Sequence, residues 1–232
     1  MKLSLVMPYW DRRAAADASL ASMAAHYAGL DMEIVIVDDG SREPYHALPG
    51  LPWPVTVLRM PLKDGPLNPC TPFNVGVHAA RGEVIGLTNP ENLHLAPVLP
   101  GLLEELERGG PDTYALAACW HVEGKNWHAH SSIAGRAVEG IAMPAGSHYH
   151  FLGLMHRELW TRCGGFDVDY RDGAGYDDPD LVLSLARAGA RFVIRDDLVV
   201  HHVRTGARAA WRAEQWERNR RLFVSKWSGP GA

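Results

Sequence analysis

Cysteine is scarce in this chain. There are three in 232 residues, Cys70, Cys119 and Cys163, far apart and in no CxxC pair. An odd, scattered set excludes a disulfide framework and points to free thiols in a reducing, cytoplasmic setting. Long apolar runs are missing as well. The longest uncharged apolar-rich stretch, Asn92–Leu103, is interrupted by Pro97 and Pro100. It is far shorter than the ~20 residues a membrane helix needs. The opening MKLSLVMPYWDRR runs into Pro8 and then charge, so it reads neither as a secretion signal nor as an anchor. No repeat or low-complexity tract is visible. A strong excess of one charge is absent too: the net value is −4, which argues against wholesale coating of nucleic acid and against a polybasic membrane surface.

What is present is ordinary for a globular protein, with 47% hydrophobic and 22% charged residues. A chain of this length buries roughly 70% of its unfolded surface, so its core needs no covalent or metal staple. The charge is unevenly spread. Residues 1–202 hold 16 Lys and Arg against 25 Asp and Glu, a net of −9, whereas residues 203–232 hold 7 against 2, a net of +5. The sequence therefore divides into an acidic body and a basic tail.

Apolar patterning gives the body its class. Lys2–Met7 reads as a buried strand stopped by Pro8, Asp11–Ala28 as an Ala-rich helix ended by Gly29, and Met32–Val37 as a strand covered on both faces. Val55–Met60 and Glu83–Leu87 follow as strands, with helices at Thr71–Ala80 and from about Ala96 to Arg108. This alternation predicts a mostly parallel α/β sheet with helices on both faces, in a single domain. Later strands are expected at Tyr114–Trp120, Phe151–Met155, Phe192–Ile194 and Leu198–Val200, and helices at Asp178–Ala188 and Ala209–Lys226. Glu123–Ser147 has little periodicity, and a loop of that length is often functional.

Ligands of open α/β sheets sit beyond the carboxyl ends of the strands. Three such ends here are polar: Pro8-Tyr9-Trp10-Asp11, Asp38-Asp39-Gly40-Ser41 and Asn89-Pro90-Glu91. Asp and Gly are common turn formers, so the second could be a plain turn, but three such ends in order favour a site.

At these residues the sequence resembles a known family. LSLVMPYW, IVIVDDGS, FNVGVHAARGEVIGLTNPEN about 35 residues further on, and CGGFDVDYRDGAGYDDPDLVLSLARAGARF are similar in order and spacing to the family 2 glycosyltransferases of the GT-A fold, over roughly residues 3–202. The resemblance implies a GT-A domain over residues 1–202, with a nucleotide-sugar half (1–92) and an acceptor half (93–202), followed by the tail (203–232). It also implies a UDP-sugar donor, a divalent cation (Mn²⁺ or Mg²⁺) and inversion at the anomeric carbon. Pro8 and Tyr9, with Asp11 in the same strand end, would line the base pocket. Asp38 would accept from the base with Asp39 nearby, and Asn74 falls in the segment that closes over the nucleotide.

Where the family usually carries DxD, this chain has Asn89-Pro90-Glu91. Asn89 is neutral, and Glu91 aligns with the usual metal-binding Asp; its carboxylate remains a hard oxygen ligand. The resemblance suggests that His201 or His202 completes the metal shell, and strand alternation lets only one face the site, with His202 favoured. Asp177-Asp178-Pro179-Asp180-Leu181 resembles the family's EDxDL signature, which makes Asp178 the base for the acceptor hydroxyl, while Asp177 orients the helix start or binds acceptor. Gly165 and Phe166 belong to the turn before that helix. Trp120 and His121 end a strand and are candidates for the sugar pocket. Trp127, His128, His130, His148 and His150 lack zinc-site spacing and read as acceptor-loop polarity.

The tail interleaves Arg204, Arg208, Arg212, Arg218, Arg220, Arg221 and Lys226 with Trp211, Trp216 and Trp227. Such a pattern can track a phosphate backbone and stack on bases. It can equally be a helix that docks its Trp residues on the acidic body, and this plainer reading is preferred. Both a saccharide acceptor and hydroxymethylated DNA remain open. Arg204 or Arg208 could instead neutralise the donor's diphosphate. Two other functions compete: sugar-phosphate nucleotidyl transfer, disfavoured because the first strand end has no glycine, and a non-catalytic nucleotide-sugar or glycan binding module, supported only by Asn89.

Overall fold

The computed structural model describes residues 2–62, 68–121, 137–145, 150–203 and 213–229. The first half alternates as patterned: β1 (Leu3–Tyr9), α1 (Arg13–Tyr27), β2 (Met32–Asp38), β3 (Val55–Arg59), α2 (Cys70–Ala79) and β4 (Val84–Thr88). The short β5 (Asn92–Leu93), α3 (Leu99–Gly109) and β6 (Thr113–His121) follow. Next come a small ribbon, β7 (Ala137–Val138) with β8 (Ile141–Ala142), then β9 (Leu152–His156), α4 (Arg157–Cys163) and a 3-10 turn at Val168–Asp172. The described chain ends with α5 (Asp177–Arg187), β10 (Arg191–His202) and α6 (Ala213–Trp227).

Eight strands form one sheet in the order β3-β2-β1-β4-β9-β6-β10-β5. β1, β2, β3 and β4 are mutually parallel, and β6 is parallel to β10. Between the two groups β9 runs antiparallel to both β4 and β6. Two reversals restore direction, so β6 and β10 point the same way as β1–β4. The carboxyl ends of six strands and the amino end of β9 consequently share one edge.

Alternation in the strands fills both faces. Leu3, Leu5, Met7, Ile34 and Ile36 pack with Leu20, Met23, Leu102 and Leu106 on one side. Val6, Val35 and Val37 pack with Phe73, Val77, Trp160 and Leu181 on the other. Burial on both faces is why β1 and β2 lack polar alternation. α6 belongs to this second layer, where Phe223 and Trp227 join the core. The two brief strands expected near the end of the body are one strand, β10, whose register with β6 shifts between Arg195 and Val199. All three cysteines are free thiols, Cys70 and Cys119 buried and Cys163 half-buried. Among the described residues no helix is long and apolar enough to cross a membrane.

One buried polar link joins β5 to α1. The Tyr27 hydroxyl lies 2.7 Å from His94 Nδ1 and accepts the Val98 N–H at 3.0 Å. Burial pushes the His94 imidazole down to about 3 from its ordinary value near 6.5. A depressed histidine stabilises the fold above the unfolded value and loses that contribution as pH falls. His94→Gln keeps a side-chain oxygen near Tyr27 but cannot titrate. Wild type should therefore lose stability relative to the variant below pH 6.5, at a slope approaching about 1.4 kcal/mol per pH unit. Urea unfolding of both proteins between pH 7 and 5 measures this, and a constant gap contradicts it.

Candidate active site

A cavity of about 280 Å³ opens over the ends of β1, β2 and β4. It is lined by Pro8, Tyr9, Trp10, Arg12, Asp39, Asn89, Pro90, Glu91 and His202, with Pro69 and Pro72 from the start of α2. Asp38 builds its frame. Fully buried, it accepts the backbone N–H of Ser41 at 2.9 Å and of Tyr45 at 3.0 Å, and the Arg59 guanidinium at 3.1 Å. Both of its oxygens are engaged within the protein, and it is Asp39 that lines the cavity. Asp11 is also a framing residue. Its N–H donates to the Ser41 hydroxyl at 3.0 Å and its carboxylate accepts the Arg42 N–H at 3.1 Å, which ties the loops after β1 and β2. Tyr9 packs its ring 4.5 Å from Tyr45, and burial raises its phenol.

The carboxylate of Glu91 pairs with Arg12, a residue the sequence reading did not single out. β10 sets His202 opposite Asn92 and His201 opposite Leu93. His202 lines the cavity, its ring 5.5 Å from Phe151, and His201 does not line it. The Val203 N–H donates to the Glu91 carbonyl at 2.9 Å, so the end of β10 is fastened to the loop after β4. Among the described residues no group of three or more metal-ligating side chains occurs. A hard carboxylate oxygen and a borderline imidazole nitrogen on one cavity can nevertheless hold a divalent ion whose other positions a diphosphate and water can fill. The Trp10 indole N–H, buried, meets no acceptor among the described residues.

A second cavity of about 260 Å³ shares Pro69 and Asn89 with the first, and adds Asn68, Phe73, His150, Phe151, Gly175, Asp177, Asp178 and Trp216. A third, of about 310 Å³, continues it past Asp177 and Asp178 to Tyr176 and Val138. Asn89 therefore stands where the strand-end cavity meets the one that holds the acidic start of α5. Burial pushes Asp177 up to about 6, against the 2.7 Å hydrogen bond that it accepts from the Asn68 amide. Burial, and after it the charge of Asp177, pushes Asp178 well above the usual carboxylate range. Two adjacent carboxylates cannot both ionise cheaply in such surroundings. Beneath them His150 Nδ1 lies 2.5 Å from the Tyr114 hydroxyl, and its Nε2 lies 3.4 Å from the Asp178 carbonyl. Burial lowers His150 to about 4, so its ring is neutral.

Asp180, the third acid of the turn, anchors α6. It accepts from the Tyr170 hydroxyl at 3.1 Å, Trp227 Nε1 at 2.7 Å and Lys226 Nζ at 3.0 Å. Other expected site residues brace the walls. The Asn74 amide donates to the Phe166 carbonyl at 2.7 Å and accepts the Phe166 N–H at 3.0 Å. Phe166 is buried and stacks 5.0 Å from Phe73, and Gly165 holds a φ of +72° beside Asn74. Trp120 sits opposite His201 between β6 and β10 and lines neither cavity. The side chain of His121, and Arg204, Arg208, Trp127, His128, His130 and His148, lie outside the described residues.

Comparison with known proteins bears on the family and the fold. The family described as glycosyl transferase family 2 matches residues 4–165. No curated protein matches. Among solved structures, S. aureus TarS 1-349 in complex with UDP-GlcNAc superposes at a TM-score of 0.73 with 15% identity, covering 97% of this chain and 66% of that one. S. aureus TarS itself gives 0.66 at 16% identity, with coverage of 88% and 37%. The mannosyltransferase PcManGT from Pyrobaculum calidifontis, in complex with GDP-Man and Mn²⁺, gives 0.61 at 20% identity, with coverage of 90% and 58%. This chain thus spans about a third to two thirds of the length of these proteins, and at such identities the likeness is one of fold. The family match itself covers well over half of the sequence and runs through all three strand-end loops of the first cavity. On that ground the chain belongs to glycosyltransferase family 2.

Proposed function

We propose that this protein is an inverting glycosyltransferase that moves a sugar from a UDP-sugar to an acceptor hydroxyl. The observation that carries the proposal is the junction at Asn89: a strand-end cavity bearing Glu91, His202 and Asp39 opens into one bearing Asp178. In this reading the uridine lies against Pro8, Tyr9 and Asp39, held in place by the loop that Asp38 fixes. The diphosphate lies toward Glu91, His202 and Arg12, and the sugar crosses Asn89. The acceptor oxygen bonds to the anomeric carbon as the bond to the β-phosphate oxygen breaks. Asp178 takes the hydroxyl proton, and UDP leaves with the bonding pair. A nucleotide-sugar donor is supported by the neighbours that hold UDP-GlcNAc or GDP-Man.

Glu91 and His202 would hold a divalent ion, which supplies charge neutralisation at the departing diphosphate. Arg12 competes for the same carboxylate. It keeps Glu91 paired until a diphosphate draws the guanidinium away, so cation and nucleotide bind together. By linkage each then tightens the other equally.

Three outcomes follow. Asp178→Asn should fold and bind UDP normally while losing transfer by about 10²–10⁴-fold; full activity in this variant contradicts the base assignment. The ionised form of Asp178 is the active one, so kcat/KM should rise with pH along an acid limb set above the usual carboxylate range. Asn68→Ala removes the hydrogen bond that favours ionised Asp177, so Asp177 stays protonated to higher pH, its charge raises Asp178 less, and that limb should move to lower pH in a pH–rate profile; an unmoved limb counts against the coupling of the pair. Finally, calorimetric titration with Mn²⁺ in the absence of UDP should give at least tenfold tighter binding in Arg12→Gln than in wild type, and none in Glu91→Gln. Equal affinity in wild type and Arg12→Gln contradicts the competition.

A further inference from the structure

Among its described residues, the basic tail resolves into charges that are spent and one aromatic side chain that is not. Lys226 pairs with Asp167 and Asp180, Arg220 with Glu217 and Glu139, and Arg221 with Glu217. The Arg218 guanidinium donates to the Asp169 carbonyl at 2.8 Å and lies 3.7 Å from Asp172. Lys226, Arg218 and the Arg220–Glu139 pair seat α6 on the body, while the pairs with Glu217 lie within the helix itself. Asn219 completes the seat by donating to the carbonyls of Tyr170 at 3.0 Å and Gly175 at 2.9 Å. Trp216, on the same helix, is 49% exposed. Its ring lies 5.4 Å from that of Tyr176 and presses on Gly175, where a Cβ would come within 2.6 Å of the indole. With φ at +64°, Gly175 meets two demands there: a left-handed turn and room for the ring.

Trp216 is therefore held firmly at one edge while much of its surface stays open, and it lines both cavities that contain Asp178. Phe151 lines both as well, and Tyr176 closes the outer one. Among the described residues no Lys or Arg lines either cavity, whereas Asp177 and Asp178 line both. A wall of aromatic faces with a few converging polar groups suits a ligand that is flat and apolar on one side and hydroxylated at its rim. Acidic lining without a basic counterpart repels a polyanion.

We propose that Trp216, together with Tyr176 and Phe151, forms the acceptor subsite, and that it takes the ring of an uncharged glycoside, stacking its C–H face on the indole so that a ring hydroxyl reaches Asp178. This rests on the glycosyl-transfer reading above and selects between its acceptors: α6 is a wall of the acceptor site, and DNA is not the acceptor.

The experiment uses the full chain with labelled UDP-glucose, UDP-galactose and UDP-GlcNAc. The acceptors are methyl glucoside, methyl galactoside, methyl mannoside, cellobiose, lactose and a hydroxymethylcytosine oligonucleotide. UDP affinity is followed in parallel for wild type, Trp216→Ala and Trp216→Phe. At least one glycoside should accept label. Trp216→Ala should raise its KM at least tenfold, and Trp216→Phe should recover most of the loss. UDP affinity should be unchanged in both variants. Transfer to the oligonucleotide alone, a KM indifferent to Trp216→Ala, or UDP binding with no glycoside used overturns the proposal while leaving the donor reading intact. Failure of wild type to bind UDP overturns the donor reading and this proposal with it.

Discussion

The arrangement of the candidate site depends on strand direction. β9 lies reversed between β4 and β6, and that double reversal keeps β6 and β10 pointing the same way as β1–β4. One edge of the sheet therefore collects the loops after β1, β2 and β4, the end of β10 and the residues that enter β9. Backbone hydrogen bonding enforces this, because a strand in the middle of a sheet must pair on both sides. From it follow the meeting of Glu91 with His202 and of Phe151 with Asp178, pairs far apart in sequence.

A second constraint is charge inside that edge. The carboxylates of Asp38, Glu91, Asp180, Asp177 and Asp178 are each either matched or titrated upward. Asp38 is matched by two N–H groups and Arg59, Glu91 by Arg12, and Asp180 by Lys226, Tyr170 and Trp227. Among the described residues Asp177 and Asp178 have no cation beside them, and burial raises both. Burying a carboxylate without a partner costs folding free energy, yet it produces a group able to exchange a proton near neutral pH. The Asn68 amide limits the cost at Asp177 and leaves Asp178 as the less stabilised of the two.

Much of the frame was legible because burial on two faces leaves a plain apolar signature, as in MEIVIV of β2. Polar strand ends pointed to the cavity over the sheet edge, and alternation allowed only one of the two histidines to face it; His202 lines it. The rest depended on long-range packing. α4 is seven residues long, and β5, β7 and β8 are two each, too short to show a period. The direction of β9 is set by its neighbours and leaves no trace in FLGLM. In the turn after β2 the two-residue period ends, so patterning could not tell that Asp38 faces the loop and Asp39 the cavity. Asn68 reaches Asp177 across 109 positions, and Trp216 meets Gly175 only because Asn219, Lys226 and Trp227 seat the helix. Arg12 had a local signal, a cation directly after the first strand end, but its partner lies 79 positions away.

The central claim is that donor and acceptor meet across Asn89 in a single displacement with Asp178 as base. The stereochemistry of the first-formed product tests it most directly. Proton NMR of the new glycosidic linkage, followed from the start of the reaction with an α-linked UDP-sugar, should show the β-anomer. An α-linked first product would mean retention and would contradict the account.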